Sequence, residues 1–152
     1  MRTSDPIYDM AKRVRSLNKM LEKAAGEAVR DEEAYILELN IDQLSRGDDS
    51  KGKAIAPPYS QQYKAYKSSK GRQTRVVDLR LEGDFYQGLY VEFRDDEFEI
   101  KGQDFKTPFL KKRYGDLILG LDKVSVGKLQ ERLSDRIKTA LESIFEQQRI
   151  TV

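Results

Sequence analysis

The chain has 152 residues, of which 38% are hydrophobic and 36% are charged, so it is long enough to enclose one core but short for two. It contains no cysteine and no histidine, which excludes disulfides, thiolate or imidazole metal sites and any nucleophile activated by histidine. The 28 basic and 26 acidic residues leave a net charge of only +2, which does not by itself indicate a nucleic-acid partner.

Residues 1–45 are predicted to form an N-terminal helical segment. Its first apolar stripe recurs at spacings of three and four: Ile7, Met10, Val14, Leu17 and Leu21. Asp5 is placed to cap this helix, with Pro6 at a tolerated first position. A second stripe, from Ala34 to Leu44, is shifted in phase and predicts a break at residues 26–31. The first twenty residues hold no apolar run of signal-peptide or membrane length, so we expect an intracellular protein without membrane contact.

Residues 46–75 are predicted to be a loop-rich basic segment with one short helix. Glycine, aspartate, serine and proline between Gly47 and Pro58 forbid a continuous helix or strand. The next three tyrosines recur at spacings of four and three, which predicts a short helix with its rings turned inward: Tyr59, Tyr63 and Tyr66. Interleaved tyrosines and lysines can also form a stacking platform for single-stranded nucleic acid, and this alternative stays open.

Residues 76–152 are predicted to contain an antiparallel sheet and a long C-terminal helix. β-Branched and apolar residues at its start predict a strand at Val76–Leu81. Alternating apolar and polar residues predict a hairpin that pairs Leu89–Arg94 with Phe98–Gly102. We expect three or four short strands between residues 76 and 107. An apolar stripe predicts a helix over residues 125–147, capped by Ser125. The fold class is therefore α+β, one structural domain in which a small antiparallel β-sheet is packed by a long C-terminal helix, with N-terminal helices.

Charge is divided between two neighbouring segments. From Lys51 to Val77 there are seven basic residues and no acid, whereas Glu82 to Asp104 holds eight acids and two bases. Such a division is typical of an internal pairing, a solvated edge or complementary faces on neighbouring copies. We assign interaction roles to five bases and three acids of these segments: Lys64, Lys67, Lys70, Arg72, Arg75, Asp95, Asp96 and Glu97.

One trio has the residue types of a metal-dependent nuclease. Glu99 and Lys101 are separated by one residue, so on a strand they share a face, with Asp84 as a possible second carboxylate. The carboxylates could hold a hard cation and the lysine could position a water. An exposed face of any charged hairpin shows the same spacing, so we favour the non-catalytic interpretation and expect no metal, no cofactor and no catalytic residue.

The stretch Leu79–Phe93, LRLEGDFYQGLYVEF, carries a family resemblance. Together with the Tyr63–Lys67 pattern, the acidic hairpin, RYGDLILGL and the last helix, it resembles the tail-completion, head-tail connector and virion morphogenesis proteins of long-tailed bacteriophages. The resemblance covers about residues 59–147, and Glu82 stands where many members carry threonine. We interpret the stretch as a structural corner built from five residues: Gly83, Asp84, Phe85, Tyr86 and Gly88.

The resemblance implies a non-enzymatic structural subunit of a phage or prophage virion. Copies would form a homo-oligomeric ring at the neck or tail end, contacting the portal-side adaptor and the tail tube, with passing contact to DNA. The protein would lie in the virion, and in the host cytoplasm during assembly. The alternatives are a nuclease using Asp84, Glu99 and Lys101, or a small nucleic-acid-binding accessory protein using the basic segment.

Overall fold

The computed structural model describes residues 6–95 and 97–150. Their helices and strands follow in this order: α1 (Pro6–Asp31), α2 (Glu33–Ser45), α3 (Gln61–Ser69), α4 (Asp84–Gln87), β1 (Leu89–Phe93), β2 (Phe98–Gly102), α5 (Thr107–Tyr114), a 3₁₀ turn (Asp116–Ile118) and α6 (Lys123–Ile150). The α+β class, with a small antiparallel sheet and a long C-terminal helix, is confirmed. Within the described residues, no helix is both long and apolar enough to cross a membrane.

The chain divides into two compact units. The mixed unit is residues 32–130, and the helical unit comprises the described residues 6–31 and 131–150. These boundaries differ from the predicted segments, because α6 begins in the mixed unit and its later residues belong to the helical unit.

The helical unit contains α1 and the later part of α6. The predicted break between the first two helices falls at Glu32, one residue beyond the predicted range, so α1 continues unbroken to Asp31. The Arg136 guanidinium pairs with the Asp31 carboxylate at 3.4 Å. The predicted cap Asp5 lies outside the described residues.

The core of the mixed unit gathers side chains from most of its elements. Its buried members are Leu44, Ile55, Tyr59, Val77, Leu79, Phe85, Tyr86, Leu89 and Ile118. The hairpin places Leu89 and Val91 of β1 and Ile100 of β2 on the buried face, with Val91 directly opposite Ile100. The hairpin prediction is confirmed in position and orientation.

The predicted strand at Val76–Leu81 is wrong. Among the described residues the sheet has two strands, β1 and β2, and the segment around Asp78 is irregular although it is buried. Its backbone groups bond to side chains instead of a neighbouring strand: the Leu79 amide donates to the Tyr59 hydroxyl at 2.9 Å, and the Asp78 carbonyl accepts from the Tyr86 hydroxyl. Leu79 has φ 56°, which is incompatible with a strand.

Two buried amides on α2 fix the turn that precedes α6. The Asn40 Nδ2 group donates to the Gly120 carbonyl at 3.2 Å, and Gln43 donates to the same carbonyl at 3.1 Å. The Gln43 Oε1 atom also accepts from the Asp122 amide at 2.8 Å. Because buried backbone groups need partners, this arrangement holds the turn against α2.

The C-terminal helix begins two residues before its predicted start. The Asp122 carboxylate accepts from the Ser125 amide at 2.7 Å, so Asp122 acts as the cap that was assigned to Ser125. Burial opposes ionisation of Asp122, but the hydrogen bonds from Ser125 outweigh it and lower the pKa of this carboxyl group. The helix then runs to Ile150, slightly beyond the predicted end.

Candidate functional site

The residues of the predicted corner lie at a turn whose aromatic side chains are buried in the core. Gly83 has φ 100°, in the left-handed region, and α4 follows it directly. Phe85 and Tyr86 are 3% and 9% exposed, so their rings fix the corner from inside. A Cβ at Gly88 would lie 3.0 Å from the Asp104 backbone nitrogen. The backbone at Asp104 therefore comes too close to leave room for a side chain at this position. The Asp84 carboxylate pairs with Lys106 at 3.3 Å.

A buried polar network lies next to the corner. Lys67 is fully buried, and its ammonium contacts the Asp78 Oδ1 atom at 2.5 Å. The Tyr59 hydroxyl and the Arg80 amide both lie 3.2 Å from the same oxygen. The Lys67 ammonium also lies 4.6 Å from the centre of the Tyr59 ring, within the range of a cation–π contact. The network joins α3 to the irregular segment around Asp78.

The ionisation of this network follows from its surroundings. Burial alone would raise the pKa of the Asp78 carboxyl group, but hydrogen bonds from Lys67, Gln73 and the Arg80 amide lower it below its ordinary value of 3.8. Burial raises the pKa of both Tyr59 and Tyr86, so their hydroxyls remain protonated donors. The lysine ammonium and the carboxylate therefore form a charged, hydrogen-bonded pair inside the protein.

The predicted basic interaction residues do not form one surface. Lys67 cannot contact another molecule, because its side chain is buried and paired with Asp78. Lys70 pairs with Glu82 at 3.9 Å, an internal contact between the basic and acidic segments. Lys64 and Arg72 are half-buried and Arg75 is exposed.

The predicted acidic residues lie at the hairpin turn. Asp95 and Glu97 are exposed, and Asp96 is outside the described residues. Arg94 contacts Glu97 at 4.0 Å and Glu99 at 3.6 Å.

The nuclease trio is not brought together. Glu99 and Lys101 do share a face of β2, where the Lys101 ammonium contacts both Glu99, at 3.7 Å, and Glu92. Asp84 instead pairs with Lys106 at the corner. Within the described residues, no group of three carboxylates could hold a metal ion. Glu99 and Lys101 belong to an exposed ion-pair network, and such networks contribute little stability individually.

An aromatic cavity of about 450 Å³ opens beside the corner. Its lining is mainly apolar, with charged side chains among it, and includes Tyr59, Tyr63, Phe85, Leu110, Arg113 and Tyr114. The Tyr59 and Tyr63 rings meet edge to face with their centres 4.9 Å apart. The inward orientation predicted for the tyrosines is seen for Tyr59 and partly for Tyr63, whereas Tyr66 is 48% exposed.

Sequence reasoning missed one surface of the mixed unit altogether. Phe105 and Phe109 are 74% and 70% exposed, and the basic residues of α5 lie close to them in the sequence. The available signal was the segment FKTPFLKKRY, in which two phenylalanines four residues apart precede three consecutive cations. This pattern indicates an exposed helix, and no helix was predicted there.

The helical unit leaves much of its apolar stripe uncovered. Ile7, Met10 and Val14 of α1 are 78%, 68% and 47% exposed, and Phe145 of α6 is 55% exposed. Among the side chains that the structure describes in this unit, Ala28 alone is buried. A groove of about 160 Å³ lies between the helices, lined by Val14, Leu17, Asn18, Leu21, Leu141, Ile144 and Phe145.

No family model, curated protein or solved structure matches the chain.

Proposed function

We propose that this chain is a structural subunit of a bacteriophage or prophage virion. Copies form an oligomeric ring at the neck or tail end, where they join the head to the tail or complete the tail. The partners are further copies of the chain, a portal-side adaptor and the tail tube, with passing contact to DNA. The resemblance of residues 59–147 to tail-completion and connector proteins motivates the proposal.

The observation that carries the proposal is the uncovered stripe on α1. Ile7, Met10 and Val14 lie at heptad-like spacings and remain largely exposed. Two amphipathic helices that bury so little of their apolar surface are typical of a bundle that is completed by other chains. An assembly subunit accounts for this exposure, because its partners cover the stripe.

The mixed unit has the features of a rigid platform for such contacts. The Lys67–Asp78 pair and the amides on α2 fix its loops internally. Its outer surface, by contrast, carries an acidic hairpin and a basic helix. Charged surfaces of opposite sign favour specific docking and a fixed register between protein partners.

The first test concerns the α1 stripe. We expect Ile7→Ser combined with Met10→Ser to weaken association of the full chain by roughly a hundredfold, because exposed apolar side chains drive assembly once they are buried. Sedimentation velocity over a concentration series measures the effect. The matched control is Lys12→Ser combined with Lys19→Ser, which changes charged residues of the same helix and is expected to have a smaller effect.

Two outcomes contradict the proposal. A wild-type chain that stays monomeric at every concentration, alone and with candidate virion proteins, argues against a ring subunit. Equal association of the wild type and the serine variant shows that the stripe has no part in assembly. Circular dichroism of each variant establishes that the helices are retained.

A further inference from the structure

The outer face of α5 combines exposed aromatic rings with positive charge. Residues 105–114 hold four basic residues and no acid: Lys106, Lys111, Lys112 and Arg113. Phe105 and Phe109 are more than two-thirds exposed, although large aromatic side chains are usually buried. Lys106 lies with its ammonium 5.6 Å from the centre of the Phe105 ring.

The two phenylalanines and Arg113 share one side of α5. Residues four positions apart are neighbours on a helical surface, which aligns Phe105, Phe109 and Arg113. Lys106, between Phe105 and the start of α5, already has helical dihedrals, φ −75° and ψ −20°, so the alignment extends back to Phe105. The other side of α5 is packed, because Thr107 is 5% exposed and approaches Gly102 of β2 closely.

Two of the cations have no ionic partner in the part of the chain that the structure describes. Lys106 pairs with Asp84 at 3.3 Å and Lys111 with Asp116 at 3.4 Å. Lys112 makes no ion pair there, and Arg113 contacts the Tyr114 ring, with its guanidinium carbon 5.5 Å from the ring centre. The α5 face, defined as Phe105, Phe109, Lys112 and Arg113, is therefore open to an acidic partner with apolar surface.

The hairpin of this chain has the complementary chemistry. Residues 89–102 hold five acids and two bases. Asp95 and Glu97 are exposed at the turn, and Asp95 makes no ion pair within the described residues. The half-buried rings of Phe93 and Phe98 pack with their centres 6.4 Å apart, directly beside these acids. The hairpin end, defined as Phe93, Asp95, Glu97 and Phe98, thus offers negative charge and aromatic surface together.

We propose that the α5 face of one copy docks on the hairpin end of the next copy. The contact joins two different surfaces, so it is heterologous. A joined pair keeps a free hairpin end on one copy and a free α5 face on the other, and both can extend the assembly. Such a contact closes into a ring when the rotation per copy allows it. Within one copy the packed side of α5 lies toward β2, and the aromatic side is left for another molecule. The inference rests on the proposed function and adds the surfaces that form its ring.

Charge reversal tests this docking. We expect Lys112→Glu with Arg113→Glu, and separately Asp95→Lys with Glu97→Lys, each to weaken self-association by roughly a hundredfold, because like charges then face one another. Mixing the two variants restores association, since each reversed surface meets a reversed partner. Phe109→Ser is expected to weaken association without rescue by mixing. Sedimentation velocity of the full-length chains gives all these values.

The control is Lys51→Glu with Lys53→Glu, which makes the same charge change on an exposed loop and is expected to leave association unchanged. If both charge-reversed variants self-associate as strongly as the wild type, the docking is overturned while the proposed ring stands. A wild type that never associates overturns both. If Lys112→Glu with Arg113→Glu abolishes salt-dependent binding of a duplex DNA probe but not self-association, the α5 face is a nucleic-acid surface and the docking is overturned.

Discussion

Replacing Lys67 by methionine is expected to lower the free energy of unfolding by about 3 to 5 kcal/mol, because it leaves the Asp78 carboxylate buried without its cation. The ammonium lies 2.5 Å from the Asp78 Oδ1 atom, and both side chains are almost inaccessible to solvent. Methionine keeps most of the side-chain volume, so the loss reports the charge and not a cavity. Urea unfolding of the wild type and the variant measures the difference.

Two further variants make this result specific. Lys64→Met changes another lysine of α3 that makes no buried ion pair, and its effect is expected to stay within about 0.5 kcal/mol. Adding Asp78→Asn to Lys67→Met removes the unpaired charge while keeping an acceptor for Tyr59, so the double variant is expected to be more stable than Lys67→Met alone. A single variant as stable as the wild type would show that the pair is not formed.

The same pair sets an acid limit on stability. The pKa of Asp78 is below its ordinary value of 3.8 in the folded protein, so the unfolded chain binds the proton more readily. The stabilisation is therefore fully present above that value and is lost as the pH falls through the lower folded pKa. The free energy of unfolding, measured from neutral pH to below the folded pKa of Asp78, is expected to depend less on pH in the Lys67→Met variant than in the wild type. The variant lacks the cation that lowers this pKa.

Replacing Gly47 by alanine is expected to destabilise the mixed unit by about 2 to 5 kcal/mol, combining backbone strain with a steric clash. Gly47 has φ 80°, and a Cβ there would lie 2.6 Å from the Val76 Cβ atom. The clash can be removed only if the backbone moves, because the position of each Cβ atom is fixed by its own main chain. Thermal and urea unfolding of the variant measure the loss.

Gly52 provides the matched control for this substitution. It has φ 72° in the same loop region, but a Cβ there meets nothing within 4 Å. Gly52→Ala is therefore expected to cost about 1 to 2 kcal/mol from strain alone. Equal losses at Gly47 and Gly52 would show that the approach of Val76 contributes nothing.

The elements that sequence reasoning found were those with a regular apolar period. The hairpin was predicted because residues 89–93 alternate, and α6 because its apolar stripe is long. The segment around Asp78 was predicted as a strand because it begins with β-branched, apolar residues. In the structure its backbone bonds instead to the Tyr59 and Tyr86 hydroxyls. No periodicity in a sequence reports such side-chain to backbone bonds.

The candidate surfaces were harder to predict than the fold. The sequence did contain a signal for the burial of Lys67, since it lies four residues after Tyr63 and eight after Tyr59 and so shares their inward face. Lys67 was nevertheless assigned as an interaction residue, because the segment from Lys51 to Val77 holds seven basic residues and no acid. The α5 face was missed because no helix was predicted at residues 105–114, although Pro108 is well tolerated in the first turn of a helix.

The central claim, the proposal that the chain acts by assembling into a virion, is tested most directly by mass spectrometry of phage particles purified from cells that express the chain from its own genome. The account predicts that the chain is present in mature, DNA-filled particles at a fixed ratio to the portal protein and stays bound through washing with high salt. Its absence from such particles, while the chain is abundant in the infected cell, would contradict the account.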